Sequence, residues 1–305
     1  MGLNREICMI SQILQTLLFV PHAYASLDAG DRSHIPENVY QQCVQKYQQT
    51  DDIDCSKIIY DSNGLEIVGF LVKPRIMDPS KKYPVIIYNR GGSGENGKIT
   101  VITLINNIFP LVRAGYVVLA SQYRGADGSQ GQDELGGQDV QDVINLCTIA
   151  QQLPYVDPQK LYMIGYSRGA IMTCAAIKQG AQVKSTALIS GVTDLFLFEQ
   201  LRPDAIPLLQ QFIPNYLTNK NEELAKRSAC AWLETIKIPV LLFHGDADAV
   251  VDIKSSQNVY NAFKGLGRET ELIIYPHGNH FLYNAYSEDI NTKIVKWFRG
   301  NWYAS

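Results

Sequence analysis

The run Leu161-Tyr162-Met163-Ile164-Gly165-Tyr166-Ser167-Arg168-Gly169-Ala170 constrains this chain more than any other segment. A short apolar strand ends in Gly-x-Ser-x-Gly, and a helical pattern follows at once over residues 170–178. That succession places a serine hydroxyl on a strained strand-to-helix turn, exposed at a helix N-terminus. The glycines are required because strand and helix backbones approach closely there, where a Cβ would clash. An isolated Gly-x-Ser-x-Gly also arises by chance, so the rest of the chain must supply the partners such a serine needs.

The surrounding pattern alternates strands with helices. Residues 57–60 and 65–72 alternate around Asn63-Gly64, which predicts a β-hairpin. Residues 84–88 are a continuous apolar run suited to a central parallel strand. Helical spacing over 103–113 ends at Gly115 and precedes a strand at 116–120. A second helix is expected over 137–153, with Val140, Val143, Ile144, Cys147 and Ala150 at helical spacing. Further strands are expected at 161–164, 187–190, 240–243 and 271–275, with helices after Ser167, over 255–264 and at the end through Trp297. Repeated βα units predict an α/β fold with a mostly parallel central sheet and helices on both faces. The connection from Asp194 to Lys237 is too long for an ordinary link. It carries Phe196, Phe198, Leu208, Leu209, Phe212, Tyr216 and Trp232, and it reads as a small helical lid whose aromatics mostly pack within the lid.

At the N-terminus, Arg5 precedes an apolar stretch over 7–20, Pro21 breaks it, and Ala23-Tyr24-Ala25 offers a cleavage site before Ser26. Residues 1–25 therefore read as a secretory leader, and the expected location is periplasmic or secreted. The stretch is too short for a membrane span. Residues 26–56 are polar and glutamine-rich and read as an N-terminal helical extension, leaving 57–305 as the main domain with the lid at about 194–237. Cys43 and Cys55 are close enough in sequence for a local disulfide in an oxidising compartment. Cys147 and Cys174 fall on helix faces expected to be buried. No cysteine or histidine spacing suggests a metal, and no cofactor motif is present. The formal net charge of −3 argues against capture of nucleic acid or an anionic membrane.

Serine is a poor nucleophile unless a base takes its proton during attack. His280, in a loop after the strand ending at Tyr275-Pro276, is the candidate base. Asp248, after the strand at 240–243, is the candidate acid that holds the imidazole in the right tautomer. The order Ser, Asp, His is that of α/β-hydrolases. Asp246 competes for the acid role but is better placed to shape the turn, and His244 and His277 read as structural. A developing oxyanion needs donors. The Arg168 N–H, just after Ser167, should be one, and the loop Asn89-Arg90-Gly91-Gly92-Ser93-Gly94 should supply another from Gly91 or Gly92. A histidine base works only when neutral, so activity is expected to fall as pH drops through roughly 6–7.

From about Tyr60 onward the chain resembles the prolyl oligopeptidase family of serine hydrolases. The resemblance rests on Tyr88-Asn89-Arg90-Gly91-Gly92, Gln122-Tyr123-Arg124-Gly125, Gly136-Gly137-Gln138-Asp139-Val140-Gln141-Asp142, Gly165-Tyr166-Ser167-Arg168-Gly169, Arg227-Ser228, His244-Gly245-x-x-Asp248-x-x-Val251 and Glu271-Leu272-x-x-Tyr275-Pro276 with His280. It implies an α/β-hydrolase fold, nucleophile Ser167, acid Asp248 and base His280, with Arg124, Asp139 and Asp142 as scaffold. It further implies cleavage of a small-molecule ester or a short peptide through an acyl-enzyme. The chain departs from the family's oligopeptidases in two respects. The segment between leader and core is too short for their β-propeller, and Arg90 stands where the alignment would put their oxyanion-hole tyrosine. A compact esterase of the dienelactone-hydrolase kind fits equally, and a non-catalytic binding protein on the same fold is the rival from another class.

Overall fold

The computed structural model describes residues 50–300 together with the backbone of a short strand, β1 (Leu18–Val20). The other strands are β2 (Ile53–Ser62), β3 (Leu65–Pro74), β4 (Tyr83–Asn89), β5 (Val117–Ser121), β6 (Val156–Tyr166), β7 (Thr186–Ile189), β8 (Val240–Gly245) and β9 (Thr270–Tyr275). They form one sheet in the order β1-β2-β3-β5-β4-β6-β7-β8-β9. The strands from β5 to β9 in that order pair in parallel, and β1, β2 and β3 add an antiparallel edge. This is the α/β-hydrolase layout expected from the alternation of strands and helices.

The hairpin turns where Asn63-Gly64 predicts, with both residues at positive φ (56° and 83°). It is longer than its apolar pattern. The ladder continues to Ile53 opposite Pro74, so residues 53–56 are strand and not part of a helical extension. Backbone pairing with β3 carries Asp54 and Ser56 despite their polarity, and Lys73 forms an ion pair with Asp54 across the hairpin. Cys43 lies outside the described residues, as do the residues 1–25 read above as a leader, apart from β1. That strand pairs with β2 through Leu18 opposite Ile59, and cleavage after Ala25 would remove it.

Strand alternation sorts the core into two faces. Ile86 and Tyr88 of β4, Val118 of β5 and Ile164 of β6 point to one side. There they pack against helix α1, which runs as Val101–Thr103, a π-helical turn Leu104–Ile108 and Phe109–Arg113, and against α8 (Leu282–Phe298). Val85, Ile87, Leu119 and Met163 point to the other side, toward α2 (Val140–Gln152) and α3 (Gly169–Lys178). Leu188 and Leu242 extend this second face under α7 (Lys254–Gly265). Cys147 and Cys174 are buried as expected, and desolvation pushes both thiols up to about 12. No helix among the described residues is long and apolar enough to cross a membrane.

The long connection between β7 and β8 is helical, with α4 (Leu195–Leu201), α5 (Ile206–Phe212) and α6 (Tyr216–Arg227). Leu209, Tyr216 and Trp232 are buried, Phe198 and Phe212 are partly buried, and Phe196 and Leu208 are exposed. Leu195, Leu209, Ile213 and Tyr216 pack on Ile171, Val192 and Val251, so this insertion rests on segments that flank the strand ends.

Buried polar groups lock the hairpin to the parallel sheet. The Asp142 carboxylate, fully buried on α2, accepts from Ser62 Oγ (2.7 Å), the Arg124 N–H (2.8 Å) and Arg124 Nη2 (2.7 Å). Tyr60 Oη donates to the Asp142 carbonyl at 3.0 Å. Removing one partner of a buried ion pair leaves the other uncompensated, so Asp142→Ala should cost about 3–5 kcal/mol. Urea unfolding measures this, and a loss below about 1 kcal/mol would show the web to be dispensable.

Candidate active site

Every candidate residue lies at the carboxyl ends of the parallel strands, where open α/β sheets carry their sites. Ser167 follows β6 directly and adopts φ 54°, a left-handed conformation that is strained for a side chain with a Cβ. The turn is pinned on both sides, by the Ser167 N–H donating to Ile189 O (2.9 Å) and the Val192 N–H donating to Ser167 O (3.1 Å). Helix α3 begins at Gly169, where a Cβ would lie 2.0 Å from Asn89 O. The need for glycine at that position is thus a contact between the elbow and the end of β4.

His280 sits between β9 and α8 with its ring between two partners. Nε2 lies 3.0 Å from Ser167 Oγ and Nδ1 lies 2.8 Å from Asp248 Oδ2. A carboxylate only accepts, so Nδ1 carries the hydrogen and Nε2 is left to accept from the Ser167 hydroxyl. The other carboxylate oxygen, Asp248 Oδ1, accepts from the N–H groups of Val250 and Val251, each at 2.9 Å. Burial raises the Asp248 pKa, but hydrogen bonds from His244 and His280, the His280 charge and the Val251 N–H outweigh it. The carboxyl ends well below the usual carboxylate range. The arrangement can take a proton from Ser167 and hold the resulting imidazolium against a fixed negative charge.

The competing acid does not reach this row. Asp246 is exposed and accepts from the His277 N–H at 2.6 Å, which shapes the turn, and His277 itself is exposed with φ 59°. His244, read as structural, turns out to touch the site. It is fully buried, with Nε2 2.9 Å from Val251 O and 3.3 Å from Asp248 Oδ2. Both neighbours only accept, so the proton is on Nε2, and Nδ1 accepts from Ser256 Oγ at 2.7 Å. The i, i+4 spacing of His244 and Asp248 was the available signal. A second contact without a signal in the sequence is Tyr166 Oη, which donates to His280 O at 3.0 Å and ties the His280 loop to the residue before Ser167.

The glycine-rich loop after β4 covers the other side of Ser167. A Cβ on Gly91 would lie 3.0 Å from Ser167 Cβ, and Gly92 adopts φ 69°. Among the described residues, the N–H groups of Arg168, Gly91 and Gly92 donate to no protein acceptor, which leaves them available to a ligand oxygen. No cluster of His, Cys, Asp or Glu among the described residues is arranged to hold a metal ion.

Residues 103–303 match the prolyl oligopeptidase family. The uncharacterized peptidase YtmA of Bacillus subtilis is 30% identical over 243 residues, covering 79% of this chain and 92% of that protein. The chain spans only about a third of the length of further curated relatives (34% and 31%). In three dimensions it resembles an acylaminoacyl peptidase of Pyrococcus horikoshii, with a TM-score of 0.69 and 22% identity over 84% of this chain and 43% of that one. It also resembles acetyl xylan esterase 1 from a Thermoanaerobacterium species, with a TM-score of 0.61 and 17% identity over 86% of this chain and 93% of that one.

The low pKa of Asp248 has a consequence for stability. A carboxyl whose folded pKa is depressed contributes stability that is full above the unfolded value near 4 and is lost progressively as pH falls from there toward the folded value. The stability advantage of the wild type over Asp248→Asn, read from urea midpoints, should therefore shrink as pH is lowered from about 5 to about 3. A gap that stays constant over that range would show that the charge contributes nothing.

Proposed function

The chain belongs to the prolyl oligopeptidase family, and from that premise we propose a serine hydrolase that cleaves an ester or amide bond through an acyl-enzyme. Ser167 Oγ attacks the carbonyl carbon while His280 Nε2 takes its proton, and the carbonyl electron pair moves onto the oxygen. The N–H groups of Arg168 and of Gly91 or Gly92 receive that oxyanion. Asp248 keeps the imidazole oriented and stabilises its charged form. The tetrahedral adduct collapses as His280 returns the proton to the leaving alcohol or amine. Water, activated by the same base, then releases the acid and restores Ser167.

The observation that carries this reading is the continuous row from Ser167 Oγ through His280 to Asp248 Oδ2, at 3.0 and 2.8 Å. With the whole row in place, a purely binding role on this fold is the weaker reading. The substrate class is a small ester or a short peptide. The chain's likeness to both a peptidase and an esterase supports that breadth, and the exposed Phe281, in edge contact with His280, offers apolar surface for an acyl or leaving group. The N-terminal pattern supports export, with a mature chain beginning at Ser26.

Ser167→Ala should abolish labelling by a fluorophosphonate probe and lower turnover of a p-nitrophenyl ester by at least about 10⁴-fold. Undiminished labelling would sink the assignment. Short acyl esters, an acetyl-sugar ester and a dipeptide amide, assayed on one preparation, separate esterase from peptidase.

A further inference from the structure

Arg90 is the largest fully buried side chain among the described residues, with 1% exposure, and it forms no ion pair there. All of its donors go to backbone carbonyls. Nε and Nη2 reach Gln122 O (3.0 and 2.6 Å), Nη1 reaches Gly91 O (2.9 Å) and Asn96 O (3.2 Å), and Nη2 also reaches Gly94 O (2.9 Å). Desolvation, with the neighbouring Arg168 charge, pushes its pKa down to about 10, which still leaves it cationic at neutral pH.

The guanidinium lies over the Tyr123 ring at 5.0 Å, and that of Arg168 lies over the same ring at 4.9 Å. Three successive carbonyls of the loop are each held within this stack. Arg90 O accepts from Tyr123 Oη (3.2 Å), Gly91 O from Arg90 Nη1 (2.9 Å) and Gly92 O from Arg168 Nη1 (2.9 Å). Asp133 braces the arrangement, accepting from Arg168 Nη1 (2.6 Å) and the Gly94 N–H (2.7 Å), and Asp139 also binds Arg168. In a trans peptide the N–H points opposite to the preceding carbonyl. Holding the carbonyls of Arg90 and Gly91 inward therefore turns the N–H groups of Gly91 and Gly92 the other way, out of the buried stack.

We propose that Arg90 is a positioning residue for the reaction, a buried cation that, with Tyr123 and Arg168, fixes the orientation in which the Gly91 and Gly92 N–H groups meet the oxyanion. This rests on Ser167 being the nucleophile. The planar guanidinium suits the role because it can bond four carbonyls from fixed directions, which an ammonium cannot. Its positive charge lies beneath the loop that receives the negative charge, in a site shielded from water.

The test compares Arg90→Lys, which keeps the charge and loses the fork, with Tyr123→Phe, which removes only the hydroxyl bound to Arg90 O. Both are assayed on a p-nitrophenyl ester, with active sites titrated, and with a trifluoromethyl ketone. In the ketone adduct Ser167 Oγ bonds to the carbonyl carbon, His280 takes the proton, and the carbonyl oxygen becomes the oxyanion. Arg90→Lys should lower kcat roughly 10- to 100-fold and Tyr123→Phe roughly 3- to 10-fold, with KM changed less than about twofold. The ketone should weaken by the same factor as kcat/KM, and the pH at half-maximal kcat/KM should not move.

Unchanged kcat and ketone affinity per titrated site, with only a lower unfolding midpoint, would overturn the proposal. If Arg90→Lys does not fold, Tyr123→Phe decides by the same two readouts. Full turnover by Ser167→Ala would instead overturn the parent reading. An inactive Ser167→Ala beside unimpaired Arg90→Lys and Tyr123→Phe would overturn this one alone.

Discussion

The approach of the Gly169 backbone to the Asn89 and Arg90 carbonyls is the contact on which the rest of the site depends. A Cβ at Gly169 would lie 2.0 Å from Asn89 O and 2.9 Å from Arg90 O, so the start of α3 and the end of β4 are in direct backbone contact. That contact sets the height of Ser167 against the loop that follows β4. It also sets Arg168, whose side chain descends from the elbow to reach Gly92 O, Asp133 and Asp139. Ser167, the loop and the buried charges are therefore placed by one steric condition, and glycine satisfies it.

Charges are distributed around an apolar sheet. The two faces between β3 and β9 are filled by Val, Ile, Leu and aromatic side chains. The buried ions lie outside the sheet, on loops and helices: Arg124 with Asp142 of α2, Arg168 with Asp133 and Asp139, and Arg227 with Glu223 within α6. Arg227 also donates to the carbonyls of Glu134 and Leu135, which joins the helical insertion to the loop carrying Asp133. Buried pairs add little net stability over apolar packing, but they penalise wrong arrangements. Their concentration here is consistent with a region whose geometry matters more than its contribution to folding.

The strands β4 to β9 were legible because a strand buried on both faces is a plain apolar run. Their ends were less so, since Asp157, Pro158, Gln159 and Lys160 lie in β6 as an irregularity between Val156, paired with Tyr83, and Leu161, paired with Val85, which side-chain pattern does not report. The same applies to residues 53–56 and to the π turn in α1, where register depends on neighbours. Ser167, Asp248 and His280 were readable because each follows a recognisable strand. The contacts of His244, Tyr123 and Arg90 were not, because the groups they touch come from separate segments and meet only through packing. Arg90 in particular registered as a departure from an expected tyrosine, and its bonds to four carbonyls of the chain have no linear signature.

The left-handed backbone at Ser167 carries an evolutionary consequence. At φ 54° a β-branched residue is strongly disfavoured, so threonine fits this elbow poorly, whereas cysteine fits it without branching. Glycine would relieve the strain altogether. The conformation of the turn itself therefore favours glycine over the serine that occupies it.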